Sequence, residues 1–115
     1  MSTNKILLVD DEPNVRETIK ELLVFKNYDV KTAANGQEAL DMLEYWMPDL
    51  ILCDMVMPVM NGTELHENIR NNKSWSIIPF IFLSAKNKIK LIQQFFLDGK
   101  DGFLNKTFKI NKLML

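Results

Sequence analysis

Residues 48–62 read Pro48-Asp49-Leu50-Ile51-Leu52-Cys53-Asp54-Met55-Val56-Met57-Pro58-Val59-Met60-Asn61-Gly62. An apolar run, Leu50 to Cys53, leads straight into one carboxylate, Asp54, and a loop with Pro58 and Asn61-Gly62 follows. A short apolar run bounded by turn residues predicts a strand buried on both faces, as in parallel sheets. Open α/β sheets place their sites beyond the carboxyl ends of such strands. Asp54 therefore stands where a charge can serve chemistry.

The same pattern recurs on either side. Lys5 to Val9 is a strand pattern followed at once by Asp10, Asp11 and Glu12. Pro13 fits the first turn of a helix, where its missing N–H costs nothing. That helix runs to about Phe25 with Val15, Ile19, Leu22 and Leu23 inward, and Asn27 breaks it. Tyr28 to Ala33 reads as a second strand, and Gln37 to about Tyr45 as a helix with Ala39, Leu40 and Leu43 inward. After the opening stretch come a helix over Thr63 to Asn71 and a strand over Ile77 to Leu83 that ends at Ser84-Ala85. A fourth helix, Asn87 to about Asp98, a short strand, Gly102 to Asn105, then Lys106 and a fifth helix from Thr107 complete the pattern. Five strand–helix alternations predict a doubly wound, three-layer α/β fold: a parallel sheet with helices on both faces, joined by right-handed crossovers. The polar groups at the strand ends, Asp10-Asp11-Glu12, Asp54, Ser84 and Lys106, then converge on one edge.

Composition agrees. The chain has 115 residues, 47% hydrophobic and 25% charged, which suits one globular domain over residues 1–115. A formal net charge of −1 argues against bulk attraction to nucleic acid or an anionic membrane. No apolar run approaches the roughly 18 residues of a membrane span. No leader pattern is visible, and the lone Cys53 excludes an internal disulfide, so a cytoplasmic location is expected. His66 lies on the third helix away from the strand ends and is expected to be a surface residue.

Carboxylates gathered at one edge repel each other, and a hard divalent cation, Mg²⁺ or Mn²⁺, removes the difficulty through oxygen ligands. Lys106 adds an ammonium and Ser84 a hydroxyl. A carboxylate, a metal ion, an ammonium and a hydroxyl suit phosphoryl transfer. Each residue also has a simpler reading. Asp10 or Asp11 can cap the helix that Pro13 opens, Glu12 can complement its dipole, and Ser84 can cap the fourth helix.

Val9-Asp10-Asp11-Glu12-Pro13, Asp54-Met55-Val56-Met57-Pro58, Asn61-Gly62, Ser84-Ala85, Gly102-Phe103 and Lys106 together resemble the receiver domain of two-component response regulators, over essentially the whole chain. The resemblance implies a flavodoxin-like five-stranded sheet of order 2-1-3-4-5. It implies that Asp54 accepts a phosphoryl group from a sensor histidine kinase or phosphotransfer protein. Asp11, Asp54 and the backbone carbonyl of Val56 would hold Mg²⁺, with Asp10 acting through water. Lys106 would pair with Asp54 and then with the phosphoryl group, which Ser84 would bond. Phe103 matches the aromatic switch position coupled to Ser84. Ala85 leaves the phosphoryl group room, and Val56 and Lys86 stand where hydrolysis of the acyl phosphate is tuned. The domain would signal rather than turn over substrate as an enzyme. Its output and homodimer face would be the fourth helix, fifth strand and fifth helix, with no direct contact to nucleic acid.

Two departures stand out. Thr107 follows Lys106 where the family usually has proline, and a non-proline cis bond costs ~2.5–4 kcal/mol. The fifth helix is also short, as if cut at Leu115, which would leave apolar surface at residues 113–115 uncovered and favour association. The fourth helix, with Ile89, Ile92, Phe95 and Phe96, carries more apolar residues than one core stripe needs, so it reads equally as broad core or as partner surface. The chief functional alternative is a pseudo-receiver, an interaction module that is never phosphorylated. A flavin-binding flavodoxin is disfavoured by Asp10-Asp11-Glu12 in place of a phosphate loop. A haloacid-dehalogenase-type phosphatase would need a second Asp where Val56 stands.

Overall fold

The computed structural model describes residues 4–83. The elements are β1 (Lys5–Val9), α1 (Pro13–Phe25), β2 (Asp29–Ala33), α2 (Gly36–Leu43), β3 (Leu50–Asp54), α3 (Gly62–Arg70) and β4 (Phe80–Leu83). The four strands form one parallel sheet of order β2-β1-β3-β4. This agrees with the first four strands of the expected order. The predicted fifth strand and the fourth and fifth helices lie outside the described residues, as do Ser84, Ala85, Lys86, Phe103, Lys106 and Thr107.

Strand residues alternate between two cores, as the pleat requires. Leu7, Val9, Ile51, Cys53 and Phe80 face α2 and α3, meeting Ala39, Leu43, Leu65 and Ile69. Ile6, Leu8, Leu50, Leu52, Ile81 and Leu83 face the other way and meet Ile19 and Leu23 of α1. Helices thus cover both faces, and each fully buried Leu or Ile contributes ~1.5–3 kcal/mol by leaving water. The predicted inner residues of the first three helices are all buried or half-buried.

Helix ends follow local chemistry. Asn27 adopts φ 71°, a left-handed conformation that asparagine tolerates. Around it the Tyr28 N–H bonds the Leu23 carbonyl at 3.1 Å and the Asn27 N–H the Val24 carbonyl at 2.9 Å, which closes α1 in a Schellman motif. Asn35 caps α2 by accepting from the Glu38 N–H at 2.9 Å. Asn61 and Glu64 form a complete capping box at the start of α3.

Asp54 is the last residue of β3, paired with Leu83, so it ends the strand as expected. Two sequence expectations need correction. β4 begins at Phe80 rather than Ile77. The Asn72 side chain accepts from the N–H groups of Ser74 and Trp75, which holds residues 72–76 in turns, and Pro79 offers no N–H to a ladder. Ile77 is accordingly 85% exposed. His66 is half-buried rather than a free surface residue. Its ring stands edge-on to Phe80 and Phe82, with centroids 4.9 and 5.4 Å away.

His66 is also an acceptor. Arg70 Nε donates to its Nε2 at 3.1 Å, and Arg70 Nη1 donates to the Ser76 carbonyl at 2.7 Å, so one guanidinium ties α3 to the turn that leads into β4. An accepting Nε2 requires neutral imidazole with its proton on Nδ1. Burial, and secondarily the Arg70 charge, hold the imidazole below its ordinary value of 6.5. The unfolded chain therefore takes up this proton at higher pH than the folded one. Stability from this group is complete above about pH 6.5 and declines as pH falls through the interval below it. The urea midpoint should drop between pH 7.5 and pH 5.5, and His66→Gln should show a smaller drop over the same interval; an equal drop would remove His66 from the account.

Candidate functional site

Pairing of β1 with both β2 and β3 builds the site. Val9 lies opposite Ala33 on one side and Cys53 on the other. The residues that follow, Asp10-Asp11 and Asp54, must then emerge side by side at the carboxyl edge. One carboxylate oxygen from each of Asp10, Asp11 and Asp54 lies within 4.8 Å of the others. Asp10 is 0% exposed and Asp54 6% exposed, while Asp11 is open to solvent. A site with two covered acids and one open one faces outward through Asp11.

Backbone contacts fix this arrangement. The Asp10 N–H bonds the Ala33 carbonyl at 3.1 Å, which extends the ladder one residue past β1. Asp10 Oδ1 accepts from the Glu12 N–H at 2.9 Å. That bond aims the carboxylate and bends the chain into α1. It is a turn bond and not a helix cap, and Glu12, the residue preceding the helix, makes no side-chain cap. The capping alternative for the acidic pair is thus unsupported, which leaves the carboxylates turned to one another. Arg16 Nη1 donates to the Asp10 carbonyl at 2.9 Å and brings a cation under the acidic cluster. The sequence reading missed Arg16; its position one turn after Pro13 is the signal that could have flagged it.

The loop after Asp54 is tightly built. The Gly62 N–H bonds the Met55 carbonyl at 2.9 Å, and a Cβ at Gly62 would overlap the Asp54 carbonyl oxygen. Only glycine lets α3 start this close to the end of β3. Sequence reading took Asn61-Gly62 as a turn and missed this packing role. Within the loop the Met60 N–H bonds the Pro58 carbonyl at 2.8 Å around Val59, whose φ is 70°. A three-residue turn of that hand is strained for a β-branched residue. The Met60 carbonyl accepts from the Gly36 N–H at 3.3 Å and so fastens the loop to α2. Val56 is 78% exposed at the rim.

Three convergent carboxylates offer the oxygen donors that a hard divalent cation prefers, and such an ion offsets their mutual repulsion. The donor set fits Mg²⁺ or Mn²⁺ and lacks the thiolate or imidazole of a softer site. Ser84 and Lys106, predicted to complete the site, lie outside the described residues.

An open parallel sheet with an acidic pocket where β1 and β3 adjoin is the architecture of a flavodoxin-like signalling domain. Comparison with known proteins agrees. Residues 6–115 match the response regulator receiver domain family. The chain is 37% identical over 110 residues to the "Probable transcriptional regulator ycf29" of Pyropia yezoensis, covering 96% of the chain and 50% of that protein. It is 35% identical over 109 residues to "Response regulator Rre1" of Synechocystis, covering 94% and 47%. Among solved structures, chemotaxis response regulator CheY4 of Vibrio cholerae aligns at 27% identity with a TM-score of 0.70, covering 99% of this chain and all of that one. The receiver domain of sensor histidine kinase PA1611 from Pseudomonas aeruginosa, solved with a magnesium ion in its active-site cleft, aligns at 32% identity with a TM-score of 0.70 over 74% of this chain and 70% of that one. The chain belongs to the response regulator receiver family, and it is a receiver domain of two-component signalling. It spans about half the length of the two regulators named above.

Gly62→Ala should destabilise the fold by about 1–3 kcal/mol in urea unfolding, since α3 must shift off β3 to admit a methyl group. Gly36→Ala should cost less, because the atoms it would meet belong to the flexible Met60 side chain. Equal losses at the two glycines would contradict the close approach at Gly62.

Proposed function

We propose that this receiver takes a phosphoryl group onto Asp54 from the phosphohistidine of a sensor kinase or phosphotransfer protein, in a reaction that requires Mg²⁺ or Mn²⁺. The observation that carries the reading is the meeting of Asp10, Asp11 and Asp54 within 4.8 Å at the junction of β1 and β3. One Asp54 oxygen attacks phosphorus, the P–N bond to imidazole breaks with its electron pair leaving on nitrogen, and an acyl phosphate remains. The metal, when bound, supplies charge neutralisation for the phosphoryl oxygens. Asp11, Asp54 and the Val56 carbonyl would hold it, with Asp10 acting through water. Burial keeps Asp54 in one orientation at the end of β3, so little ordering is left for the moment of attack.

The remaining roles extend the same reading. Lys106 would neutralise charge on Asp54 and then on the phosphoryl group, and Ser84 and Phe103 would convert modification into a change at the fourth-helix, fifth-strand, fifth-helix face. That face would meet the output partner or a second copy. Ala85 would leave space for the phosphoryl group, and Val56 and Lys86 would set its lifetime. A relative that is 36% identical over 113 residues is named "Hybrid signal transduction histidine kinase D" of Dictyostelium discoideum. A kinase as phosphodonor is consistent with that kinship.

Incubation with acetyl phosphate and Mg²⁺, followed by intact-mass measurement, tests the proposal. One phosphoryl adduct is expected, dependent on the metal and absent in Asp54→Asn. Asp11→Asn should reduce the rate of labelling by about 10²-fold or more through loss of metal affinity. No adduct at high donor concentration would favour the pseudo-receiver, and an adduct that survives Asp54→Asn would assign the wrong nucleophile.

A further inference from the structure

The chain between Asp54 and Gly62 is pinned along its length. The Gly62 N–H holds the Met55 carbonyl at 2.9 Å, Met57 is buried, and the Met60 carbonyl accepts from the Gly36 N–H at 3.3 Å. The Met60 side chain adds a further contact. Its Cγ, Cβ and Sδ lie over Gly36, where a Cβ would come within 2.8, 2.9 and 2.9 Å of them. Met60 Sδ also accepts from Asn68 Nδ2 of α3 at 3.8 Å. Gly36 is itself firmly held. It is buried at the start of α2, Asn35 caps that helix, and the Ala34 N–H bonds Glu38 Oε1 at 3.0 Å.

Val59 stands in the middle of these contacts at φ 70°, in the turn that the Met60 N–H closes on the Pro58 carbonyl at 2.8 Å. A β-branched residue is strained there. Val59 is also 79% exposed, so its side chain gains no burial to offset the strain. Such a turn persists only where its surroundings over-determine it. Here the surroundings are Met60 against Gly36 and Asn68. The loop is therefore balanced between two forms. In the described form Met60 is seated on α2. In a relaxed form Val59 leaves the positive-φ region and Met60 leaves Gly36. Val56 belongs to the same loop, so the place of its carbonyl depends on which form holds.

We propose that Met60, seated on Gly36, is a positioning residue for the divalent metal: it holds the loop in the strained form, and that form brings the Val56 carbonyl to the metal beside Asp11 and Asp54. The inference rests on the metal reading given above, in which the Val56 carbonyl is a ligand. The linkage runs in both directions. A metal that binds one form draws the loop into it, and its apparent affinity falls with the fraction of chains in that form. Metal at the acidic edge should therefore tighten the Gly36–Met60 bond on α2. A change at Gly36, outside both the loop and the acidic cluster, should weaken the metal. Relief of the strain at Val59 should make up for a lost Met60 side chain.

The test titrates the full chain with Mn²⁺ by calorimetry. Met60→Ala and Gly36→Ala should each bind about fivefold or more weakly while circular dichroism shows an intact fold. Met60→Leu, which keeps bulk over Gly36, should bind nearly normally. Val59→Asn suits a positive φ. It should raise the urea midpoint, leave the affinity of the otherwise unaltered chain in place, and restore affinity in the Met60→Ala background. Mg²⁺ at about ten times its Kd should slow hydrogen exchange at the Gly36 N–H about tenfold and leave the Tyr28 N–H, beyond the far end of α1, unchanged. Saturable Mn²⁺ binding that is lost in Asp11→Asn upholds the metal site itself. With that in hand, full affinity in both Met60→Ala and Gly36→Ala, or an unmoved Gly36 exchange rate, overturns the positioning role alone. A chain that binds no Mn²⁺ overturns both.

Discussion

Everything at the acidic edge depends on the pairing of β1 with β3. Val9 opposite Cys53 is a backbone match, and it decides that Asp10, Asp11 and Asp54 share one pocket although more than forty residues separate them in the chain. Like charges do not gather unaided. Here the ladder between Leu50 and Asp54, with apolar cores on both faces, supplies the energy that holds them together. The loop beyond Asp54 is a second device with the same purpose: Gly62 brings α3 against the strand end, and the Met60 carbonyl fastens the loop to α2.

Much of this was legible in the sequence because buried parallel strands have a simple signature. The apolar runs at Leu50–Cys53 and Lys5–Val9 and the turn residues around them predicted the strands to within a residue, and the helix stripes named the core. The fourth strand was set too early because Ile77 and Ile78 look like strand residues. Only Ile78 is buried, and the Asn72 turn bonds, which decide the matter, depend on side-chain geometry that hydrophobic pattern does not encode.

The acidic site was legible by position, and its supporting contacts were not. Asp10 and Asp11 follow β1 and Asp54 ends β3, so they could be placed on one edge. Arg16 and the positive φ of Val59 act through the backbone, which leaves no periodic trace. His66 escaped because its neighbours, Phe80 and Phe82, come from a strand fourteen or more residues away, and a lone histidine on a polar helix face carries no sign of them.

The alternation of the strands between two cores limits how the chain can change length. One residue inserted into β3 would send Leu52 toward α2 and α3 and Cys53 toward α1, and would turn Asp54 off the pocket. A deletion in residues 55–61 would pull Gly62 off the strand end or break the Met60 link to α2. The connection from Asn71 to Pro79 is different: most of its bonds are internal turns, and the Ile51 N–H to the Pro79 carbonyl at 2.9 Å is its backbone tie to the sheet. Insertions and deletions among homologous chains should therefore collect on that far edge, leaving the acidic edge constant in length while the opposite one drifts.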